Sequence, residues 1–244
     1  FLESIENITT VAAEFTRTAR LKGDFLHDRV SVEGAEYLPQ DRCGIAIGGH
    51  MGNWEWLAPS RASEGWKASA IVRPLDNPLL DAFVDRIRTH TGTVTIPKRN
   101  AQRTVIELLQ QGYLVGILAD QSPRRNAVPV TFFGRPCWAT IGPVMLAMRA
   151  KVPIFGVAMI RKPDGRYILR FTPEIEMVRT ENLRQDLVEN TQRCQDVIEK
   201  IIRENPGQWL WLHRRWKKRP NLEAEWNERL AREGESGEGG KQGA

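Results

Sequence analysis

The fold is best inferred from the segment Ile45-Ala46-Ile47-Gly48-Gly49-His50-Met51-Gly52-Asn53-Trp54-Glu55-Trp56. The apolar run at its start predicts a buried strand, and the glycines after it permit a tight turn that approaches a ligand closely. Asn53 is a suitable N-cap for a helix that begins at Trp54. The stretch therefore predicts a strand, a turn that carries His50, and a helix whose first turn carries Glu55.

A histidine and a glutamate at this spacing can act together on a proton. The helix dipole favours a carboxylate at Glu55, which could also accept a hydrogen bond from His50 and leave the other ring nitrogen as a base. A surface histidine beside a capping glutamate is the competing interpretation, and the glycines after an apolar strand favour the first. The sequence has no Gly-x-Ser-x-Gly elbow, so an acceptor hydroxyl would itself attack. Backbone N–H groups around Gly49 and Gly52, or a nearby arginine, could then face the oxyanion.

Apolar strand patterns alternate with helical patterns through most of the chain. This order predicts an α/β fold with a mixed, largely parallel central sheet flanked by helices. Ligands bind at the carboxyl ends of strands in such sheets, and His50, Arg73 and Asp120 all follow predicted strands. We therefore expect these three residues to share one site, although Arg73 could instead pair with a surface aspartate and Asp120 could be a turn residue.

The two ends of the chain have different patterns. Residues 3–20 predict an amphipathic helix whose apolar face carries Ile5, Ile8, Ala12, Phe15 and Ala19. Residues 1–220 are predicted to form a single domain. Residues 221–244 are charged and then rich in glycine, which predicts a partly disordered tail.

The composition limits the partners and the compartment. A net charge of +5 and a pI of about 9.3 favour acidic partners: phospholipid headgroups, phosphorylated glycolipids, nucleic acid or an acidic carrier protein. Three widely spaced cysteines favour a reducing compartment over a disulfide framework. No apolar run approaches the roughly 18 residues that span a bilayer. A membrane segment upstream of residue 1 could have been removed or could never have existed.

The segment from Trp209 to Arg219 combines aromatic rings with cations. Such a mixture suits an anionic membrane surface, and it also suits nucleic acid. No recognition helix, zinc-ligand spacing or RNA-binding motif accompanies it, so we predict no nucleic-acid partner. An equally simple interpretation is that the arginines attach this segment to the fold.

Several ordered motifs over residues 28–220 resemble one known family. The signature of that family, His-x-x-x-x-Glu after a strand, matches His50 and Glu55. Other segments that resemble family motifs are Arg73-Pro-x-x-Asn77, Arg88, Ala119-Asp120-Gln121, Phe132-Phe133-Gly134 and Trp211–Pro220. Together these motifs resemble the bacterial lipid A late acyltransferases, within the wider group of glycerolipid-type His-x4-Asp/Glu acyltransferases.

The resemblance implies a glycerolipid-acyltransferase-like fold and an O-acyltransferase activity. A fatty acyl chain would pass from an acyl-ACP or acyl-CoA thioester to a hydroxyl of a phosphorylated glycolipid such as a lipid A precursor. His50 and Glu55 would be catalytic, and Arg73, Asn77, Arg88 and Asp120 would bind substrate. We expect neither a cofactor nor a metal, and the thioester is a co-substrate.

The resemblance also implies a location at the cytoplasmic face of the bacterial inner membrane, peripheral or through a segment missing from this chain. Three alternatives stay open: acyl transfer to a lysophospholipid or a mannosylated inositol lipid, a non-catalytic basic lipid-binding module, and a metal hydrolase. The last would use His50, Glu55 and Asp120, but the sequence offers no second well-placed histidine.

Overall fold

A computed structural model describes residues 2–18, 24–99 and 101–238. Its strands are β1 (Val30–Glu33), β2 (Gly44–Gly48), β3 (Ala68–Val72), β4 (Val94–Pro97), β5 (Leu114–Leu118), β6 (Ala127–Phe132), β7 (Arg135–Thr140), β8 (Ile154–Arg161) and β9 (Tyr167–Glu174). Its helices are α1 (Leu2–Thr18), α2 (Asp24–His27), α3 (Leu57–Ala62), α4 (Pro78–Thr89), α5 (Ala101–Gln110), α6 (Gly142–Ala150), α7 (Leu183–Glu204) and α8 (Pro220–Glu238).

Seven of the strands form the central sheet, in the order β1-β9-β8-β2-β5-β3-β4. All neighbouring pairs are parallel except β8 and β9, which are antiparallel. Strands β6 and β7 form a separate antiparallel hairpin. The predicted mixed, largely parallel sheet is confirmed, and it places the ends of β2 and β5 side by side.

Both faces of the sheet are covered, which explains why β2 is an unbroken apolar run rather than an alternating one. Ile45 and Ile47 are completely buried. They point to the larger core, to which α5, α6, α7 and the β6–β7 hairpin contribute side chains. Ala46 lies in the smaller core on the other face, together with Trp56 just before α3. The strand that leads to His50 is therefore fixed from both sides.

Helix α1 confirms the predicted amphipathic helix, but its buried face is not the predicted one. The buried residues are Ser4, Asn7, Val11, Phe15 and Thr18. Ile5 is 40% exposed and Ala12 is exposed, whereas Ala19 lies outside the described residues. The face is selected by hydrogen bonds from polar side chains to distant loops, a signal that apolar periodicity does not contain.

The carboxyl-terminal region also differs from expectation. The start of the predicted tail is helix α8, and it packs on the fold through Leu222, which is 2% exposed, and through Trp226, whose ring lies edge-on to Trp138. Residues 239–244 lie outside the described residues, so the predicted disorder there stays a prediction. Strand β7 was not predicted, because Arg135–Thr140 lacks a clear apolar alternation.

Gly52 should be much less replaceable than another glycine in the same backbone region. Gly52 has φ +52°, and an added Cβ would lie 1.7 Å from the carbonyl oxygen of Met159. Gly65 also has positive φ, but no atom lies within 4 Å of its added Cβ. We expect Gly52→Ala to lower the free energy of unfolding by about 2–4 kcal/mol and Gly65→Ala by about 1–2 kcal/mol.

Urea unfolding of the two variants and the parent protein provides the measurement. Equal destabilisation by the two alanines would show that the backbone does not pass Met159 as closely as described.

Candidate active site

The turn after β2 brings His50 against the end of β5. Residues 49–53 form the turn, and a single helical turn, Trp54–Trp56, leads into α3. At Gly49, an added Cβ would lie 3.3 Å from a carboxylate oxygen of Asp120. Glycine at this position therefore lets the chain pass directly beside the aspartate.

Asp120 is the carboxylate that holds His50. Its Oδ1 lies 2.8 Å from Nδ1 of the His50 ring, and its Oδ2 accepts the backbone N–H of His50 at 2.8 Å. The indole Nε1–H of Trp209 donates to the same Oδ2 at 2.8 Å. Because Nδ1 faces the carboxylate, Nε2 is the ring nitrogen left for a substrate. The side-chain amide of Gln121 lies 3.4 Å from both ring nitrogens.

Glu55 does not take the position expected for it. We predicted that its carboxylate would accept a hydrogen bond from His50, but both of its oxygens accept from Arg88, at 2.8 Å from Nε and 2.7 Å from Nη2. A planar guanidinium matches a carboxylate at two points, which makes this contact stronger than a single bond to an imidazole. Glu55 is still close enough to His50 for its charge to act on the ring.

The contact between His50 and Asp120 shifts the pKa values of the two groups in opposite directions. Burial by itself would lower the pKa of His50, but the charge and hydrogen bond of Asp120, helped by the charge of Glu55, raise it above its ordinary value. Burial would raise the pKa of Asp120, yet the His50 ring, the Trp209 indole and the His50 backbone N–H together lower it. The aspartate therefore stays ionised beside the histidine.

Two of the six predicted site residues form no hydrogen bond or ion pair with the other four in the described structure. The side chain of Arg73 is 75% exposed, and its nearest carboxylate is Asp76 at 4.0 Å. Asn77 is the N-cap of α4 and accepts the backbone N–H groups of Leu79 and Leu80. The structure thus brings together His50, Glu55, Arg88 and Asp120, and it gives Arg73 and Asn77 local roles at the start of α4.

A segment before α8 completes the site in a way that the sequence did not indicate. Residues 208–210 pair with the His50 turn: the N–H of Leu210 donates to the His50 carbonyl at 2.9 Å, and the N–H of Gly52 donates to the Gln208 carbonyl at 3.1 Å. The Gly52 N–H is therefore occupied, which argues against its expected role facing an oxyanion. Trp209 was missed as a site residue because no local pattern connects it to Asp120.

Helix α1 braces the same two loops from outside. The side-chain amide of Asn7 donates to the carbonyls of Gly52 at 3.1 Å and Gln208 at 2.9 Å. The hydroxyl of Ser4 donates to the carbonyl of Trp209 at 2.8 Å. These bonds explain the polar face that α1 buries, and they couple the first helix to the position of His50.

The arginines beyond Trp209 include two that attach the segment to the fold. Arg215 is fully buried and donates to the carbonyl of Trp138 at 2.5 Å and to the side chain of Gln195 at 2.8 Å. Arg219 donates to the hydroxyl and the carbonyl of Ser122, each at 3.0 Å. For these two residues, attachment to the fold is the interpretation that the structure supports.

The described residues contain no group of three or more His, Cys, Asp or Glu side chains that could hold a metal ion. The absence of a cofactor or metal from the reaction stays a prediction. Among the same residues, no helix combines the length and the apolar character that crossing a bilayer requires.

Comparison with known proteins identifies the family. The family model described as bacterial lipid A biosynthesis acyltransferase matches residues 2–218. The chain belongs to this family. Relatives within it include the lipid A biosynthesis palmitoleoyltransferase of Escherichia coli K12, which is 32% identical over 154 residues, or 62% of this chain. The lipid A biosynthesis lauroyltransferase of the same organism is 29% identical over 155 residues.

The chain covers only part of the length of these relatives. The chain spans 48% of the length of both Escherichia coli enzymes and 61% of a lipid A biosynthesis acyltransferase of Haemophilus influenzae, to which it is 26% identical. Among solved structures, the 1-acyl-sn-glycerophosphate acyltransferase of Thermotoga maritima matches with a TM-score of 0.43 and 18% identity. That match covers 81% of this chain and 80% of the solved one.

The pKa of His50 should depend more on Asp120 than on Glu55. In Asp120→Asn, burial is opposed only by the more distant charge of Glu55, so the pKa of His50 should fall below its ordinary value of about 6.5. In Glu55→Gln the pKa should fall by less, because the bonds to Asp120 are retained. NMR titration of the imidazole in the parent and the two variants provides the measurement.

The same shift predicts the sign of the pH dependence of stability. Since the folded-state pKa of His50 is raised, protonation of His50 beside ionised Asp120 stabilises the fold fully below the unfolded-state pKa of the histidine, and this contribution is lost as the pH rises through its folded-state pKa. In the NMR titration, a larger fall of the pKa of His50 in Glu55→Gln than in Asp120→Asn would contradict the described geometry.

Proposed function

We propose that this protein transfers a fatty acyl chain from an acyl-ACP or acyl-CoA thioester to a hydroxyl of a phosphorylated glycolipid such as a lipid A precursor. The observation that carries the proposal is the buried His50–Asp120 pair at the adjacent ends of β2 and β5, in a chain that belongs to the lipid A acyltransferase family. The names of the relatives support both the reaction and the acceptor.

In the proposed reaction, His50 acts as the general base. Its Nε2 takes the proton from the acceptor hydroxyl as the oxygen attacks the thioester carbonyl, and Asp120 stabilises the imidazolium that forms. The C–S bond then breaks, and His50 returns the proton to the leaving thiolate. The products are an ester and a free thiol, so no proton or electron pair is left over.

Glu55 and Arg88 have a different proposed role from the one predicted. Glu55 holds the guanidinium through Nε and Nη2, and Nη1 of Arg88 carries no hydrogen bond to another described residue. That nitrogen can donate to a substrate oxygen that becomes negative during attack. The carboxylate therefore acts on the reaction by positioning a cation and by adding to the negative field around His50.

A surface for the fatty chain or the lipid lies on the helix that carries Arg88. The amino-terminal half of α4 exposes Leu79, Leu80 and Phe83, by 82%, 50% and 41%, and Leu75 just before it is 39% exposed. From Leu79 to Arg88 the helix rises about 14 Å. We propose that these side chains face acyl chains at the cytoplasmic surface of the inner membrane, whether the protein is peripheral or attached through another segment.

Substitutions of the site residues should lower the rate of transfer by different amounts. His50→Ala should lower transfer by about 10²–10⁴-fold, because the base is lost. Asp120→Asn should cost nearly as much, since the ring loses its orientation and its counter-charge. Glu55→Gln should cost less than Asp120→Asn, and His27→Ala, which removes an exposed histidine on α2, should leave the rate unchanged.

The assay follows ester formation from a lauroyl thioester on a phosphorylated glycolipid acceptor, with unfolding midpoints measured for every variant. Near-normal turnover by a folded His50→Ala protein would reject the proposal. Lipid binding without transfer from any thioester would instead support the non-catalytic lipid-binding module, and transfer confined to a lysophospholipid or a mannosylated inositol lipid would correct the acceptor.

A further inference from the structure

Five exposed cations from two separate segments form one surface beside the site, here called the basic surface: Arg124, Arg125, Arg214, Lys217 and Lys218. The two segments are held together by hydrogen bonds. Arg219 donates to Ser122, and the side-chain amide of Asn221 donates to the carbonyl of Arg124 at 3.1 Å. The cations are therefore gathered by the fold and do not belong to a single run of sequence.

The charges of the basic surface are not neutralised within the described part of the chain. None of the five side chains forms an ion pair with a described residue, whereas Arg215 and Arg219, in the same segment, are both engaged. The carboxylates nearest in sequence to Lys217 and Lys218 are Glu223 and Glu225 on α8, and both are exposed. The carboxylate nearest to Arg124 is Asp120, which is buried against His50. An uncompensated cluster of this kind attracts an acidic partner over a distance of about one Debye length.

The basic surface lies within reach of the catalytic pair. Arg124 follows Asp120 by four residues, which limits the distance between their backbones to about 14 Å. Arg214 follows His213, and burial lowers the pKa of His213 while the charges of Asp120 and His50 also act on it. A macromolecule docked on the basic surface would therefore stand beside His50.

The aromatic rings of this region argue against a bilayer as the occupant. Trp209 is buried, Trp211 and Trp216 are half-buried, and all three pack around Phe132 and Phe133. The indoles of Trp211 and Trp216 donate to the carbonyls of Pro206 and Phe132. A membrane-inserting basic surface presents apolar side chains outward, and here the exposed large apolar side chain is Leu212. The exposed apolar side chains that suit a bilayer lie on α4 instead.

We propose that the basic surface docks an acidic carrier protein that presents the acyl thioester to His50. This inference rests on the proposed function, because it assigns a place to the thioester donor. Cations spread over an exposed surface suit an acidic protein face better than a single phosphate, which needs convergent donors. Two sides of the site are then distinguished: the carrier binds at the basic surface, and the lipid approaches along α4.

Charge reversal on either segment tests the docking. In Lys217→Glu/Lys218→Glu, and separately in Arg124→Glu/Arg125→Glu, the Kd for a purified acidic acyl carrier protein bearing a lauroyl thioester should rise at least about tenfold at low salt. The control is Arg149→Glu/Lys151→Glu, which makes the same change in net charge near the amino-terminal ends of β2 and β8, whereas His50 follows the carboxyl-terminal end of β2. Its Kd should stay within about twofold of the parent value.

Binding is followed by fluorescence anisotropy and does not depend on turnover. An unchanged Kd in both variants, or an equal loss in the control, would overturn the docking proposal. Loss of binding to phosphatidylglycerol vesicles with an unchanged Kd for the carrier would assign the surface to the membrane and would also overturn it. Turnover with a lauroyl thioester of N-acetylcysteamine, which has no carrier, should be the same in all proteins.

The two proposals can fail separately. If the parent protein transfers no acyl group from any thioester, the proposed function fails, whatever the binding data show. If transfer from the carrier proceeds with the same KM after charge reversal, the proposed function stands and the docking surface is wrong.

Discussion

One buried carboxylate fixes the geometry on which the rest of the site depends. Asp120 accepts the backbone N–H and faces the ring of His50, and it accepts the indole of Trp209. Three distant parts of the chain meet at this group: the turn after β2, the end of β5 and the segment before α8. An ionised carboxylate that is 1% exposed is costly unless it is fully hydrogen-bonded, so losing one partner would disturb all three parts.

The negative charge near His50 is divided between two carboxylates with different tasks. Asp120 touches the ring, fixes which nitrogen is free, and raises the pKa of the imidazole. Glu55 is committed to Arg88, and through it the His50 turn is joined to α4. Helix α1 adds a further connection, because Asn7 donates to the carbonyl of Gly52 in the turn and to that of Gln208 before α8. His50, Arg88 and the exposed apolar surface of α4 are thereby held in one arrangement.

Local patterns were sufficient to predict the sheet and the turn that carries His50, because strand burial and glycine geometry depend on nearby residues. The partner of the histidine was predicted wrongly, since Glu55 is five residues away in sequence whereas Asp120 is seventy residues away and adjacent only through the pairing of β2 with β5. Trp209 and the polar face of α1 were missed for the same reason. Arg73 was assigned to the site from its position after a strand and from motif resemblance, and Asn77 from the resemblance alone. The structure gives both local contacts at the start of α4.

We propose that the neutral imidazole of His50 removes the proton from the acceptor. The decisive measurement is the pH dependence of kcat/KM for the parent protein, compared with the pKa of His50 titrated by NMR in the same buffer. The rate should rise with pH and level off through a single ionisation that coincides with the titration of His50, above about pH 6.5. A rate that is flat across the titration of His50, or that follows a different ionisation, would contradict the account.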